Sequence, residues 1–376
     1  MKTGNILSFL LVIAVAAAGG LIGNRLKLPA GAMLGSMAAV ITLQLISAQS
    51  PLPAGLQVVL QLTSGTMIGS RVSRDDALGL KRLAIPALIM IVCMFIINVA
   101  IGTTMYRFSY LDIVTALFAS APGGMMDMAI VSAELGANPA YVAILQLSRL
   151  MFIFTCMIPF YRKIITKLKA APTPEAASLV AEKTEPPEDP AAEKPELPEL
   201  PLDPTPRKEY RWLRRAIVTF ICGYAGGLIL WRLGIPAGAI IGAMLGSSIC
   251  HIVTGNALFP PKVRLPLQIF AGAFIGMRMD RESILAMHNL LIPALILFVG
   301  VIFITFVTAF IMKKLSGLDM TTCLLASTPG GLSEMAILAD NMGLDTPKIA
   351  VLQVARLMSV IIFFPTMLTL VLRVIG

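Results

Sequence analysis

Charge is scarce in this sequence: Asp, Glu, Lys and Arg make up 14% of its 376 residues, while 57% are hydrophobic. An ordinary soluble domain spends about 25% of its residues on charge, so the composition excludes a typical water-soluble globular protein. Histidine is also scarce, with two residues in the chain and no HxH or HxxxH pattern. We therefore expect no metal centre that depends on a cluster of histidines.

Cysteine usage excludes two further kinds of site. The five cysteines are odd in number, scattered and mostly inside apolar runs: Cys93, Cys156, Cys222, Cys250 and Cys323. They form no CxxC pattern and indicate neither a disulfide framework nor a metal site. The sequence also lacks a Walker motif, so ATP is not implied. We predict a protein without a cofactor and without enzymatic activity.

Long apolar runs are what the chain has in abundance. Eight of them carry almost no charge: Ile6–Ile22, Leu28–Ile46, Leu83–Met105, Tyr141–Phe160, Ala216–Leu230, Ile235–Ile252, Leu290–Ile311 and Lys348–Leu372. Most approach the roughly 20 residues that a helix needs to cross the hydrocarbon core of a bilayer. The runs predict an all-α polytopic membrane protein with lipid as its main partner.

The sequence is duplicated at an offset of 207 residues. The segment LPAGAMLGSM at 28–37 matches IPAGAIIGAM at 235–244. Residues 117–153 and 324–360 share 16 identities in 37 positions, among them glycines, prolines and charges that chance similarity between apolar helices would not preserve. The first apolar run has the outline of a cleaved signal peptide. Because Ala216–Trp231 occupies the same place in the second copy, a structural element is the preferred interpretation.

The duplication predicts two transmembrane repeats of about five or six helices, at 1–165 and 209–376, joined by a linker at 166–208. Between Ala170 and Pro206 the chain has ten prolines and nine acidic residues against two lysines, which predicts a disordered segment. The rest of the chain is basic. Lys and Arg beside apolar spans are typical of the cytoplasmic side of a membrane, and we do not expect binding to nucleic acid.

The number of crossings decides how the two copies are oriented. If every apolar segment crosses the membrane, the copies are parallel. If the segment with the Pro-Gly-Gly motif enters without a net crossing, they are inverted, with the N-terminus outside and the linker inside. We favour inversion because it gives the sharper bias of Lys and Arg to one side.

Each copy contains a motif that is expected to break a helix: Pro122, Gly123 and Gly124 in the first copy, and Pro329, Gly330 and Gly331 in the second. Proline lacks the amide proton and disfavours helix in the residue before it, and glycine leaves the backbone unprotected. Such a break is tolerated in a membrane only where it is buried in protein or lines a wet cavity. Two broken helices at matching places point to the central site of a transporter.

A carboxylate follows each break, Asp127 in the first copy and Glu334 in the second. Near the N-terminus of a helix such an acid can act as a cap. Inside a membrane it suggests instead a site for a coupling proton or sodium ion, or a salt-bridge partner for a buried arginine. The sequence leaves these interpretations open.

The next span of each copy carries a glutamine and an arginine three residues apart, on one helix face: Gln146 and Arg149, and Gln353 and Arg356. The arginines either form salt bridges with Asp127 and Glu334 or bind the anionic group of a substrate, whose polar groups the glutamines would bind. The second break is the more polar one. This adds three candidate substrate ligands: Ser327, Thr328 and Ser333.

Two shorter segments, at 61–71 and 268–278, each contain a pair of glycines four residues apart, which indicates close helix packing. We place their terminal arginines, Arg71 and Arg278, at the membrane interface. Gln61 and Gln268 are further candidates for the central site.

With its internal duplication and two Ala-Ser-x-Pro-Gly-Gly motifs, the chain resembles the membrane AbrB family of bacteria. The resemblance covers the chain outside the linker and is specific at Pro122-Gly-Gly, Pro329-Gly-Gly, Arg149 and Arg356. Members of that family are labelled ammonia monooxygenases or regulators of gene expression. Neither label follows from these residues, because the sequence shows no metal-ligand cluster and no module comparable to the small soluble DNA-binding domains that share the AbrB name.

The sequence therefore predicts a secondary transporter of the bacterial cytoplasmic (inner) membrane. It would move a small solute, such as an organic anion, by alternating access coupled to a proton or sodium gradient. The alternative is a membrane sensor or regulator that binds a ligand and affects gene expression indirectly.

Overall fold

The computed structural model describes residues 3–26, 30–46, 53, 55–161, 163, 206–255, 257–279, 289–330, 335, 338–339, 342 and 344–375. Within these residues the chain is all-helical. The described part of the first copy contains eight helices: α1 Thr3–Arg25, α2 Gly31–Ile46, α3 Gly55–Gly69, α4 Arg74–Arg82, α5 Ala84–Phe108, α6 Ile113–Ser120, α7 Met125–Glu134 and α8 Pro139–Phe152. The described part of the second copy contains six: α9 Pro206–Arg232, α10 Gly238–Thr254, α11 Pro261–Met277, α12 Leu291–Ser316, α13 Met320–Ser327 and α14 Thr346–Ile375.

Six helices of the described chain are long and apolar enough to cross a membrane: α1, α5, α8 with its extension to Tyr161, α9, α12 and α14. The protein is therefore an integral membrane protein, as predicted. The other two predicted spans, Leu28–Ile46 and Ile235–Ile252, correspond to the shorter apolar helices α2 and α10, of 16 and 17 residues. A π-helical turn at Ile153–Met157 lies in the extension of α8.

The helices repeat as the sequence does. α13 occupies the positions of α6 shifted by the same 207 residues, and the two helices begin in the same way. Asp112 accepts a hydrogen bond from the Thr115 amide at 2.8 Å, and Asp319 accepts one from the Thr322 amide at 2.8 Å. A carboxylate at this position satisfies an amide that the first helical turn leaves free. The internal repeat is thus present in the fold as well as in the sequence.

The direction of α10 follows from its contacts with α3. Gly65 of α3 lies against the backbone of Ile240, and Gly69 against the backbone of Met244. Positions four residues apart on one helix thus meet positions four residues apart, in the same order, on the other. α3 and α10 therefore run side by side in the same direction, and glycine lets their backbones approach closely.

The corresponding pair with the two copies exchanged is α2 with α11, and it completes the topology. Gly272 of α11 lies against the backbone of Met33, and Gly276 against that of Met37, so these helices also run in the same direction. Arg278, just after α11, donates a hydrogen bond of 3.1 Å to the side chain of Gln57 in the first turn of α3. α11 thus ends where α3 begins, and α2 runs opposite to α3. Because α10 is the counterpart of α2 and runs with α3, the two copies are inverted.

Several predicted features lie outside the described residues. Of the predicted linker at 166–208, only 206–208 belong to the described part, at the start of α9. Pro29 and three candidate site residues, Gly331, Ser333 and Glu334, also lie outside it.

The close approach of α3 and α10 yields a prediction about stability. A Cβ atom added at Gly65 would collide with the carbonyl oxygen of Ile240, whereas at Gly55 on the same helix it would meet nothing within 4 Å. We expect Gly65→Ala to destabilise the protein by about 1–3 kcal/mol and to lower its apparent melting temperature in detergent. Gly55→Ala is the matched control. Equal melting temperatures for the two variants would contradict this packing.

Candidate functional site

The first helix break lies between α6 and α7, and α8 supplies the side chains that bind it. Gln146 donates hydrogen bonds of 2.9 Å to the carbonyls of both Phe118 and Ala121. Arg149 donates through Nη1 to Ala121 at 2.6 Å and through Nη2 to Gly123 at 3.1 Å. These carbonyls lack the helical partners that an unbroken helix would give them, and each would be costly to bury without a hydrogen bond.

The second break is bound in the same way by α14. Gln353 donates to the carbonyl of Leu325 at 2.7 Å and to that of Thr328 at 3.3 Å. Arg356 donates through Nη1 to Thr328 and through Nη2 to Gly330, the latter at 3.1 Å. A Gln and an Arg one helical turn apart thus form, in each copy, a clamp on the backbone of the broken helix.

Of the two partners that the sequence left open for Arg149, the carboxylate of Asp127 is wrong. Arg149 and Asp127 are both described, and no ion pair joins them within the described chain. Arg149 is 2% exposed and directs two nitrogens to backbone carbonyls instead. The planar fork of guanidinium presents paired donors in a fixed geometry, which fits two carbonyls of an unwound segment. The proposed partner of Arg356, Glu334, lies outside the described residues.

Asp127 lies in the first turn of α7 and is 6% exposed. Its carboxylate accepts a hydrogen bond from the Ser64 hydroxyl of α3. The residue that precedes the helix, Gly124, provides no side-chain cap. The N-terminal end of a helix favours negative charge, so Asp127 occupies a position where burial of a carboxylate is partly compensated.

The two breaks meet at one cavity of about 230 Å³, which we call the central cavity. Gly123 and Gly124 line it from the first break, and Pro329 and Gly330 line it from the second. Each repeat thus contributes its unwound segment to the same space.

The central cavity carries an excess of positive charge. Among the described residues that line it, one carboxylate, Asp127, accompanies four arginines: Arg71, Arg149, Arg264 and Arg356. Arg149 and Arg356 are buried, whereas Arg71 and Arg264 are exposed. A concentration of one sign of charge in a cleft attracts ions of the opposite sign. The first residues of α7, Met125 and Met126, also line the cavity, so a helix N-terminus lies at its wall, where anions bind readily.

Comparison with known proteins places the chain in a family. A family model described as transition state regulatory protein AbrB matches residues 1–165 and 173–372. The chain belongs to the AbrB family. The match covers both repeats and confirms the resemblance drawn from the sequence.

Two curated relatives of this AbrB-family protein are bacterial and match over nearly their whole length. An uncharacterised protein of Bacillus subtilis (strain 168), YhjN, is 26% identical over 97% of this chain and 93% of its own. A protein of Escherichia coli (strain K12), named provisionally as regulator AbrB, is 23% identical over 90% of this chain and 89% of its own.

Some predicted site residues of the AbrB-family protein do not line the central cavity. Gln146 is fully buried behind the first break. Ser327 donates to the carbonyl of Cys323 at 2.7 Å, and the Thr328 hydroxyl donates to the carbonyl of Leu324 at 2.8 Å. These three side chains hold the broken helices in place, so the prediction that they are direct substrate ligands needs correction. Gln353 does line the cavity.

The two shorter segments, at 61–71 and 268–278, each carry a glutamine that we named as a candidate for the central site. Gln268 lines the central cavity, whereas Gln61 is buried and donates a hydrogen bond of 2.7 Å to Glu134. Arg71, which we placed at the interface, is a lining residue.

Sequence reasoning missed Arg264 and Ser64 altogether. Arg264 has no charged counterpart, because Gln57 occupies its place in the first copy. Ser64 resembles any small residue in an apolar helix. The available signal is the difference between the copies: α11 has an arginine at a position where the first copy has an uncharged residue.

Proposed function

We propose that this AbrB-family protein is a secondary transporter of a small organic anion in the bacterial cytoplasmic membrane, and not an enzyme. One observation carries the proposal: both broken helices meet at a cavity that holds four arginines and one described carboxylate. Inverted repeats with unwound segments at their interface are the arrangement in which transporters bind their substrates.

The two clamping arginines supply the chemistry for an anion. A guanidinium carries five N–H groups, and the backbone carbonyls engage two nitrogens in each of Arg149 and Arg356. In both residues the Nε atom is buried without a hydrogen-bond partner in the described structure. A carboxylate in the central cavity would complement this unused capacity. Movement of one repeat against the other would then expose the bound anion alternately to the two sides.

Asp127 is our candidate for the coupling ion. It is the buried acid of the cavity wall, and its hydrogen bond from Ser64 ties α7 to α3. A carboxylate that binds and releases a proton, or binds sodium, in step with the substrate would couple the two fluxes. Glu334 is its counterpart in the sequence of the second copy.

A second function is favoured by the name of the Escherichia coli relative, which calls that protein a regulator. In this alternative the central cavity binds a ligand, the protein changes conformation, and no solute crosses the membrane. Gene expression would then be affected through a partner.

Flux measurements separate the two functions. We expect purified protein in liposomes to accumulate at least one radiolabelled anion from a panel of small mono- and dicarboxylates, when a proton or sodium gradient is imposed. Collapse of the gradient by an ionophore should end accumulation. Empty liposomes are the control. A panel member that raises the melting temperature without any flux would support the sensor and contradict the transporter.

A further inference from the structure

A second cavity, of about 330 Å³, lies between α5 and α14. We call it the lateral cavity. Its walls are almost entirely apolar and include Ile91, Phe95 and Phe363. Ile96 and Phe363 are exposed on the outer surface of two membrane-spanning helices, so the cavity opens towards the lipid. Its volume is at the small end of the range of about 300–1,000 Å³ that is usual for ligand pockets, which suits one apolar chain.

Two buried polar side chains are among the residues that line the lateral cavity. Asn98, which is 1% exposed, lines it, and both polar atoms of its side-chain amide lack a hydrogen-bond partner in the described structure. Arg356 also lines the lateral cavity, is 4% exposed, and lines the central cavity as well. A buried amide with no partner is unfavourable, and an arginine in the lining of the same cavity makes an anionic group a suitable ligand.

The equivalent place, between α8 and α12, holds a pair of aromatic rings. Shifted by 207 residues, Ile91 corresponds to Phe298, and Ser359 corresponds to Phe152. The rings of Phe152 and Phe298 stack with their centroids 4.6 Å apart. Ile91 and Ser359 both line the lateral cavity and cannot make this stack. The lateral cavity lies between one helix of each copy, and the stacked rings at the equivalent place indicate that the repeated fold alone does not create it.

We propose that the lateral cavity binds a single-chain lipid carboxylate from the bilayer. The hydrocarbon chain lies between α5 and α14, and the carboxylate accepts hydrogen bonds from the Asn98 amide and the Arg356 guanidinium. This binding does not depend on whether the central cavity transports a solute. Because Arg356 borders both cavities, the lipid and an anion in the central cavity share one cationic residue.

Photolabelling tests this site. The full chain, purified in detergent, is labelled with a long-chain fatty acid that carries a diazirine on its chain, and the labelled residues are mapped by mass spectrometry. We expect labels to concentrate at residues 91–98 and 356–367. The double variant Ile91→Phe/Ser359→Phe introduces here the aromatic pair found between α8 and α12 and should reduce this labelling about tenfold. Leu88→Phe, which adds a ring on the exposed face of the same helix, is the matched control and should leave it unchanged.

The head group is tested with the alcohol analogue of the same probe. The alcohol should label these residues several-fold less than the acid, and Asn98→Leu should reduce labelling by the acid. If the double variant does not fold, excess unlabelled oleate must still suppress labelling of the wild-type protein at 91–98 while exposed positions stay labelled.

Three results would overturn the proposal. Labels spread evenly over all lipid-facing helices would show ordinary contact with the bilayer. Equal labelling by acid and alcohol would remove the role of Asn98 and Arg356. Absence of labelling, together with disulfide cross-linking of two chains through Ile96→Cys, would assign this face to a second copy of the protein.

Discussion

Replacing Arg356 by lysine is expected to reduce anion uptake at least tenfold and to lower the melting temperature, although the charge is kept. The guanidinium binds the carbonyls of Thr328 and Gly330 with two different nitrogens. A lysine has one nitrogen on a flexible stem and cannot reproduce this fork. A buried carbonyl left without a partner costs about 1–3 kcal/mol, and about 1.4 kcal/mol corresponds to a tenfold change in rate or affinity.

The measurement compares uptake rate and apparent melting temperature for Arg356→Lys, the equivalent Arg149→Lys, and the control Arg232→Lys. Arg232 lies in the exposed last turn of α9, so its replacement should change neither quantity. A purely structural clamp would lower the amount of active protein and leave the KM for the anion unchanged. Because both arginines line the central cavity, we expect KM to rise as well. Wild-type uptake and stability in Arg356→Lys would refute the clamp.

The clamps explain why a membrane helix can be broken in the interior of this protein. Pro122 and Pro329 remove helical hydrogen bonds where lipid cannot replace them. The Gln-Arg pair of the following span supplies donors in both copies, to carbonyls at matching positions. An unwound segment held by side chains, and not by its own helix, leaves its glycine backbone free to border a cavity.

The sequence was sufficient for features that depend on pattern. Apolar runs predicted the membrane helices, the constant offset predicted the repeat, and the Pro-Gly-Gly motifs predicted the breaks. The partners of individual side chains were not predictable in this way. Arg149 was expected to bind a carboxylate or a substrate, because a sequence shows which side chains are charged and opposite charges attract. Backbone carbonyls carry no sequence signal, and they are what Arg149 binds.

The composition of the central cavity was predictable only in part, because it depends on which helices meet. The breaks and their arginines lie in recognisable motifs. Ser64, Arg71 and Arg264 reach the site because α3 and α11 pack beside the helices of the opposite copy. The exchange of helix partners between the two copies is a property of the assembled fold.

Replacing Asp127 by asparagine is expected to abolish accumulation driven by an ion gradient, while exchange of labelled for unlabelled anion without a gradient continues. Asparagine has nearly the same shape and its Oδ1 can still accept the Ser64 hydroxyl hydrogen bond, so the contact between α7 and α3 is kept. The asparagine cannot take up a proton, and it cannot neutralise the charge of a sodium ion. The anion itself would still find the four arginines of the central cavity.

The experiment measures, in the same liposomes, the accumulation ratio under a gradient and the rate of exchange without one. For Asp127→Asn the ratio should fall to that of passive equilibration. Asp75→Asn is the matched control, since Asp75 lies in the exposed first turn of α4, outside the cavity lining. Ser64→Ala keeps the carboxylate and should leave the coupling in place with an altered apparent affinity for the ion. If Asp127→Asn retains full accumulation, coupling does not occur at this carboxylate, and the same pair of measurements on Glu334→Gln decides whether the second copy carries it.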